Sequence, residues 1–140
     1  MNERAINEVD AGRLYDFLDQ EGSEHDARLF LVDRLWPRGV AKERLHLDGW
    51  PKELAPSNEL RKAFHAGNLE FEDFAERYRE ELDRQLDEGE LDSALNELRE
   101  AGASADGGRV VLLYGAKDTE QNHALVIRDW LRDLLRSEAE

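Results

Sequence analysis

The segment at 33–39 (Asp-Arg-Leu-Trp-Pro-Arg-Gly) combines residue types that could bind an anion. Arg34 and Arg38 each carry a planar guanidinium whose parallel N–H groups fit phosphate or carboxylate oxygens. Trp36 could stack on a flat ligand, although a tryptophan among apolar neighbours more often packs in a core. Asp33 could transfer a proton, or it could pair with one of the arginines and fix the loop. The segment is therefore a candidate binding or catalytic site whose residues could equally be structural.

A second polar segment, at 115–123, offers a complementary set of side chains. Lys117 could supply a positive charge, and Asn122 could form hydrogen bonds with a ligand. Asp118 and His123 are candidates for proton transfer, because an imidazole with a pKa of about 6.5 suits general acid and base catalysis. A lone histidine is more often structural, and this one could instead hydrogen-bond the loop of the first segment.

The net charge of −14, from 33 acidic and 19 basic residues, makes the location of positive charge informative. Residues 34–44 contain four basic side chains and one acidic side chain, a local charge of +3. A basic region on so acidic a chain is a candidate anion site, although surface arginines also pair with nearby acids. The acidic residues are spread along the chain, which favours a surface adapted to high salt over an acidic partner-binding face. The acidic balance also makes nucleic acid a poor candidate partner, because phosphate contacts dominate that affinity.

Two short apolar runs, at 29–32 and 110–114, predict β-strands that are buried on both faces. Pro37 cannot extend a central strand and Gly39 permits a sharp bend, so the chain must leave the sheet after the first run. Residues 12–17 fit either a helical stripe or an alternating strand.

Apolar residues at three- and four-residue spacing predict helices elsewhere in the chain. Four are expected, at about 58–66, 71–86, 91–101 and 120–136. Ser57 is a suitable N-cap for the first of them, and Asp118 or Thr119 for the last. One short helical turn is also expected within residues 41–47.

The alternation of buried strands with helices predicts an α/β fold. We expect a small, mostly parallel sheet flanked by helices, in a single domain over residues 1–140 with residues 1–10 frayed. In such sheets, sites form outside the carboxyl ends of the strands. Each predicted strand runs into one of the two polar segments. The sequence therefore predicts that the segments at 33–39 and 115–123 are neighbours in space.

Several classes of protein and site lack support in the sequence. The absence of cysteine excludes a disulfide framework and cysteine-bound metals. No apolar run approaches the roughly 18 residues that span a bilayer, and the N-terminus lacks the apolar core of a signal peptide. A cytoplasmic protein without membrane contact is expected. The histidines do not occur at metal-binding spacing and the common glycine-rich phosphate loops are missing, so no metal is assigned and the cofactor and oligomeric state stay open.

Three unusual blocks in order resemble the YeaO-like family, the domain of unknown function numbered 488. They are Val32–Gly39, Trp50–Ser57 and Leu112–Ala124, within a similarity that spans about residues 29–135. Four residues of the predicted middle helix also match, namely Phe74, Tyr78, Glu81 and Leu82. The family opens with a strand like Arg13–Asp16, which favours a strand there. The resemblance implies an α/β fold and a site at these blocks, and it implies no reaction.

We therefore predict that the chain binds a small anionic ligand, bearing phosphate or carboxylate, at the carboxyl ends of its strands. Arg34, Arg38 and Lys117 would hold the anion. The residues leave open whether the protein is an enzyme. Two alternatives remain: a nucleic-acid-associated or regulatory partner-binding protein, and a structural module without catalysis.

Overall fold

A three-stranded β-sheet forms the framework of the protein. The structure is a computed structural model that describes residues 6, 8–19, 27–103 and 108–139. Strand β1 spans Glu8–Arg13, β2 spans Ala27–Leu31 and β3 spans Arg109–Tyr114. The strands are parallel and their order is β1-β3-β2. The predicted α/β fold with a small parallel sheet is confirmed.

The central strand, β3, is buried on both faces of the sheet. Val110, Leu112 and Tyr114 belong to the core on one face, and Val111 and Leu113 belong to the core on the other. Successive side chains of a strand point to opposite faces, so an unbroken apolar run needs cover on both sides. The prediction that this strand is doubly buried is therefore confirmed.

Four helices cover one face of the sheet. They are α1 (Asn58–His65), α2 (Phe71–Asp87), α3 (Asp92–Ala103) and α4 (His123–Ala139). Their apolar side chains join strand residues such as Phe30 in one core. Ser57 Oγ accepts a hydrogen bond from the Leu60 amide at 3.2 Å, which confirms the predicted N-cap of α1. Within the described residues, none of the helices has the length and apolarity needed to cross a membrane.

Loops and short 3-10 turns cover the opposite face. Leu14 opens one such turn and is fully buried there, with Val40 and Leu45 from the chain that follows β2. The 3-10 turn at Lys42–Arg44 confirms the helical turn expected in this region. The two faces thus differ: helices lie on one, and irregular chain lies on the other.

The start of the chain is more ordered than its sequence suggested. Residues 8–10 form the first half of β1, where Glu8 is in register with Arg109 of β3. Ile6 is buried in the helix-covered core. Fraying was therefore the wrong prediction for these residues, while 1–5 and 7 lie outside the described residues. Residues 14–17 form a 3-10 turn after the strand, so the ambiguous segment at 12–17 is part strand and part turn. The strand that the family resemblance favoured at Arg13–Asp16 is therefore wrong beyond Arg13.

Helix α4 begins at His123, three residues later than predicted. The Oδ1 atom of Asn122 accepts a hydrogen bond from the Leu125 amide, so Asn122 provides the N-cap contact expected of Asp118 or Thr119. Asp118 Oδ1 instead accepts from the amides of the turn that precedes the helix. The correction matters because this turn, together with the start of α4, borders the predicted site.

Candidate functional site

The two polar segments meet at the carboxyl end of the sheet. β2 and β3 stay paired one residue further through the Val32 amide, which donates to Leu113 O at 3.0 Å. Directly beyond, the Gly115 amide donates to Asp33 Oδ2 at 2.9 Å. The contact is close, since a Cβ at Gly115 would lie 3.1 Å from that oxygen. The predicted proximity of the segments at 33–39 and 115–123 is confirmed.

His123 adds a second tie between the segments. Its Nε2 lies 3.0 Å from Val32 O and 3.0 Å from Asp33 Oδ1. Both neighbours are acceptors, so Nε2 must hold a proton, and in the neutral ring the lone pair is then on Nδ1. In that form the single N–H donates to Val32 O, which leaves Asp33 Oδ1 close to the imidazole but without a hydrogen bond. These contacts match the structural alternative for Asp33 and His123, and their catalytic role stays a prediction.

A cavity of about 550 Å³ opens beside these ties. It lies between the ends of β2 and β3, helix α1 and the start of α4, with one side chain from α2. Its polar lining consists of Asp33, Arg34, Arg61, His65, Lys117, Asp118, Gln121, Asn122 and His123. Its apolar lining consists of Leu35, Pro56, Phe64, Phe74 and Ala116. This size and this mixture of apolar wall and convergent polar groups are typical of small-molecule sites.

Three cationic side chains line the cavity without a carboxylate partner. Arg34 donates from Nε and Nη2 to Pro56 O at 3.3 and 3.1 Å, which orients the guanidinium but leaves its charge unpaired. Arg61 donates from Nη2 to Asn58 Oδ1 at 3.2 Å, and its buried Nε has no acceptor. Among the described residues, neither arginine nor Lys117 lies within ion-pair distance of an acid. The arrangement concentrates unneutralised positive charge.

The acidic groups of the cavity are engaged elsewhere. Asp118 Oδ1 accepts from the Glu120 and Gln121 amides at 2.9 and 3.0 Å, and these bonds lower the pKa of Asp118. Asp33 is held by Gly115 and His123. Neither carboxylate lies within ion-pair distance of Arg34, Arg61 or Lys117. A ligand with negative charge would supply the missing partner.

Asn122 lines the cavity but has both ends of its amide occupied. Besides capping α4, it donates from Nδ2 to Asp118 O at 2.8 Å. Its side chain is buried, with 2% of the residue exposed. The buried amide therefore fixes the turn between β3 and α4, which in turn positions Lys117.

Two residues of the predicted ligand-binding set lie outside the cavity. Trp36 donates from Nε1 to Val40 O at 2.7 Å and packs edge-on against Trp50, at 5.5 Å between ring centroids, on the loop-covered face. Arg38 is exposed two residues further along. After Trp36, the chain turns through Pro37 and Gly39, where φ is +82° in Gly39. The structure therefore does not group Trp36 and Arg38 with Arg34 at this cavity, and their role in ligand binding stays a prediction.

The sequence prediction missed the contribution of helix α1. Arg61, Phe64 and His65 all line the cavity. They share one helical face because residues three and four positions apart are neighbours on a helix. This spacing was visible in the sequence, but nothing there placed α1 against the ends of the strands. Arg61 takes the place that Arg38 was expected to fill.

Beneath the cavity, Tyr78 of α2 is fully buried and donates its hydroxyl hydrogen to Leu54 O. Burial raises the pKa of Tyr78 well above its ordinary value, and the charges of Glu81 and Asp33 add to that rise. The phenol therefore stays neutral, and its contact fixes the 3-10 turn at Lys52–Leu54 that leads into Pro56.

Comparison with known proteins gives this chain a family. It matches the model of a family described as the inactive DUF488-N3 subclade over residues 8–140. The chain belongs to the YeaO-like DUF488 family. Similar proteins include the uncharacterized protein YeaO of Escherichia coli strain K12, 44% identical over 126 residues that cover 90% of this chain and 98% of YeaO.

The uncharacterized protein Rv3073c of Mycobacterium tuberculosis strain H37Rv is 40% identical over 74 residues, 53% of this chain and 59% of Rv3073c. No solved structure matches the chain. The resemblance drawn from the three sequence blocks is confirmed at the level of the DUF488 family.

The chemistry that this DUF488 domain can perform follows from its lining groups. Unpaired guanidinium and ammonium groups can hold an anion. No group of three or more His, Asp or Glu side chains within the described part of the chain could hold a metal ion. His123 lies beside the Asp33 carboxylate and also contacts Val32 O, so it links the start of α4 to the end of β2.

Proposed function

We propose that this DUF488 protein binds a small anionic ligand in the cavity at the carboxyl end of its sheet, and does so without turning it over. The observation that supports the proposal is the set of three unpaired cations, Arg34, Arg61 and Lys117, around one cavity. On a chain with a net charge of −14, cations should find carboxylate partners easily. These three do not, although arginine–carboxylate ion pairs occur elsewhere among the described residues.

The arginine geometry supports an oxyanion in particular. The Pro56 carbonyl takes two N–H groups of Arg34, which restricts the side chain and leaves further guanidinium donors free. The buried Nε of Arg61 lacks an acceptor, and an unmade hydrogen bond of this kind costs about 1–3 kcal/mol. A bound phosphate or carboxylate oxygen would satisfy both groups.

Two observations favour binding without turnover. Asp33 and His123, the pair best suited to proton transfer, are engaged with Gly115 and Val32. The family whose model matches the chain is itself described as an inactive subclade. Its relative YeaO is described only as uncharacterized.

Inorganic phosphate is the direct probe of this proposal. Titration of the full chain at low ionic strength, followed by amide chemical shifts, should move the signals of Lys117 and Gln121. Arg61→Ala and Lys117→Ala should each weaken phosphate binding by about tenfold, equivalent to about 1.4 kcal/mol. Arg38→Ala and Lys42→Ala are charge-matched controls, because both residues are exposed and neither lines the cavity.

Equal weakening of phosphate binding in the control variants would show that phosphate binds to the basic residues at 34–44 in general and not in the cavity. The proposal would then be wrong, as it would be if phosphate moved no signals at all in the wild-type protein.

The same geometry gives little support to nucleic acid as the partner. The unpaired cations line a cavity of about 550 Å³ instead of forming an exposed track for a backbone. The surrounding charge of −14 would repel a polyanion. A small anion can enter where a duplex cannot, so the proposal is restricted to small molecules.

A further inference from the structure

The cavity offers more than a place for a lone anion. Resting on the proposed anion site, we infer that its ligand is a phosphomonoester of a flat, apolar group, with the phosphate at Arg34, Arg61 and Lys117 and the flat group against Phe64 and Leu35. The inference concerns the class of ligand, which charge alone does not define. It depends on the volume, the apolar wall and the number of cations.

The volume of the cavity exceeds the needs of a simple oxyanion. About 550 Å³ is far more than the roughly 10–15 Å³ that one water molecule needs on the same scale. A phosphate or acetate ion would leave most of this space filled with solvent. Sites for drug-sized ligands have volumes of about 300–1,000 Å³, so the cavity fits an anion that carries a body of ring size or larger.

The apolar wall defines what that body should be. Phe64 is half-buried and stacks on Phe74, with 4.5 Å between ring centroids and an angle of 20° between planes. Leu35 is 64% exposed, and the other large hydrophobic residue exposed among those described, Tyr15, is 39% exposed. An exposed leucine at the edge of a cavity leaves apolar surface in water, which a flat apolar group would cover.

The cations favour phosphate over carboxylate as the charged end. Three positive side chains face the cavity, and its two acids are already engaged. A phosphomonoester carries a charge of about −1.5 to −2 at neutral pH, and it presents three oxygens to the donors. A carboxylate brings one charge and two oxygens, so it would leave more of the positive charge unbalanced.

Competition among matched probes tests the inference. Dissociation constants of the full chain are measured for inorganic phosphate, phenyl phosphate, adenosine monophosphate, benzoate and adenosine. Phenyl phosphate or adenosine monophosphate should bind at least about tenfold more tightly than inorganic phosphate, because the ring leaves water on binding. Benzoate, which has the ring but a single charge, should bind more weakly than phenyl phosphate, and adenosine more weakly than its monophosphate. The comparison of phenyl phosphate with adenosine monophosphate separates a general aromatic phosphomonoester from a nucleotide.

Two variants locate the apolar group. Leu35→Ala and Phe64→Leu should each reduce the advantage of phenyl phosphate over inorganic phosphate by about threefold or more. Tyr15→Ala is the matched control, because Tyr15 is the other exposed large hydrophobic residue and lies outside the cavity. Leu35→Ala avoids a folding defect, since its side chain is mostly exposed.

The outcomes separate this inference from the proposed function. If inorganic phosphate binds at Arg61 but phenyl phosphate and adenosine monophosphate bind no better, the anion site stands and the phosphomonoester is wrong. The same conclusion follows if benzoate matches phenyl phosphate, or if Tyr15→Ala weakens binding as much as Leu35→Ala. If no anion binds, the proposed function itself fails.

Discussion

The two ends of the parallel sheet use charged residues in opposite ways. At the amino end, Asp10 of β1 accepts hydrogen bonds from Arg109 Nε at 2.8 Å and from Arg132 Nη2 at 3.2 Å. At the carboxyl end, Arg34 and Arg61 line a cavity, and no acid among the described residues lies within ion-pair distance of either. Both ends of the sheet have arginines next to the strands. The difference is that the arginines at the amino end have a carboxylate partner and those at the carboxyl end do not.

This difference separates structural from ligand-binding charge. Arg132 also donates from Nε to Val9 O at 2.8 Å, so it links α4 to β1 through both main chain and side chain. Its contacts are complete within the fold. Arg61 and Lys117 gain nothing comparable from folding, and keeping like charges close together costs energy. Cations that the fold leaves unpaired at the carboxyl end of a parallel sheet lie where α/β proteins bind ligands.

We expect the largest effect on stability from Asp33, which lies at the carboxyl end of the sheet but has a structural role. Its substitution tests whether the carboxyl end serves ligand binding alone. Asp33→Ala removes the acceptor of the Gly115 amide and the charge beside His123. We expect the free energy of unfolding to fall by about 2 kcal/mol, the usual cost of leaving such donors unsatisfied. Chemical denaturation of both proteins would measure it.

Asp118→Ala is the control for that change. Asp118 also accepts two backbone hydrogen bonds, but it is exposed, so water can replace them. Its loss should cost less than about 1 kcal/mol. Equal losses in the two variants would show that Asp33 does not tie the strand ends together.

A pair of arginine substitutions tests the contrast itself. Arg61→Ala should weaken phosphate binding by about tenfold, or about 1.4 kcal/mol, and should change the unliganded stability by less than about 0.5 kcal/mol. Arg132→Ala should leave binding unchanged and lower the free energy of unfolding by about 1 kcal/mol, because its ion pairs are partly exposed. Phosphate titration and chemical denaturation of each variant would give its binding affinity and its free energy of unfolding. The contrast would be wrong if both variants lost affinity, or if both lost stability.

Local sequence patterns predicted β2, β3 and the four helices, but they missed most of β1 and part of the site. The apolar runs predicted β2 and β3, and the polar residues after them predicted that Asp33 and His123 would be close. The sequence could not show that Arg38 lies outside the cavity. The direction of its side chain depends on the backbone turn at Pro37, which the residue pattern does not determine. Nor could it place α1 against the strand ends, since that contact depends on the packing of Phe64 on Phe74. The parts of the site formed by tertiary packing were therefore the parts that the sequence prediction missed.

The amino-end network also predicts a dependence of stability on pH. Burial alone would raise the pKa of Asp10, but the hydrogen bond from Arg109 and the nearby positive charges outweigh it, so the pKa falls below its ordinary value of 3.8. A lowered pKa in the folded state means stabilisation that is complete above the unfolded value and is lost as the pH falls through the folded value. The advantage of the wild type over Asp10→Asn should therefore be constant near neutral pH and should shrink below about pH 4.

The pKa of Glu8 shifts in the opposite direction to that of Asp10, because the hydrogen bond between the two side chains raises it. Denaturation of wild type and Asp10→Asn at several pH values would measure the difference. A gap that stayed constant down to pH 2.5 would show that Asp10 is not stabilised as a charge by its arginines.

The smallest expected effect is the response to salt. Added salt should raise the free energy of unfolding but weaken phosphate binding. Proteins adapted to high salt carry acidic surfaces, and we propose that the charge of −14 reflects such adaptation. Salt screens repulsion between exposed acids, so raising it from 0.05 to 0.5 M should increase the free energy of unfolding by about 0.5–1 kcal/mol. The same salt should weaken phosphate binding severalfold, because it screens the attraction of Arg34, Arg61 and Lys117. In Arg61→Ala the salt dependence of binding should be smaller, while that of stability should be unchanged.

Stability that fell with salt would mean that attractive pairs such as Asp10–Arg109 outweigh the repulsion between acids. The acidic surface would then need another explanation.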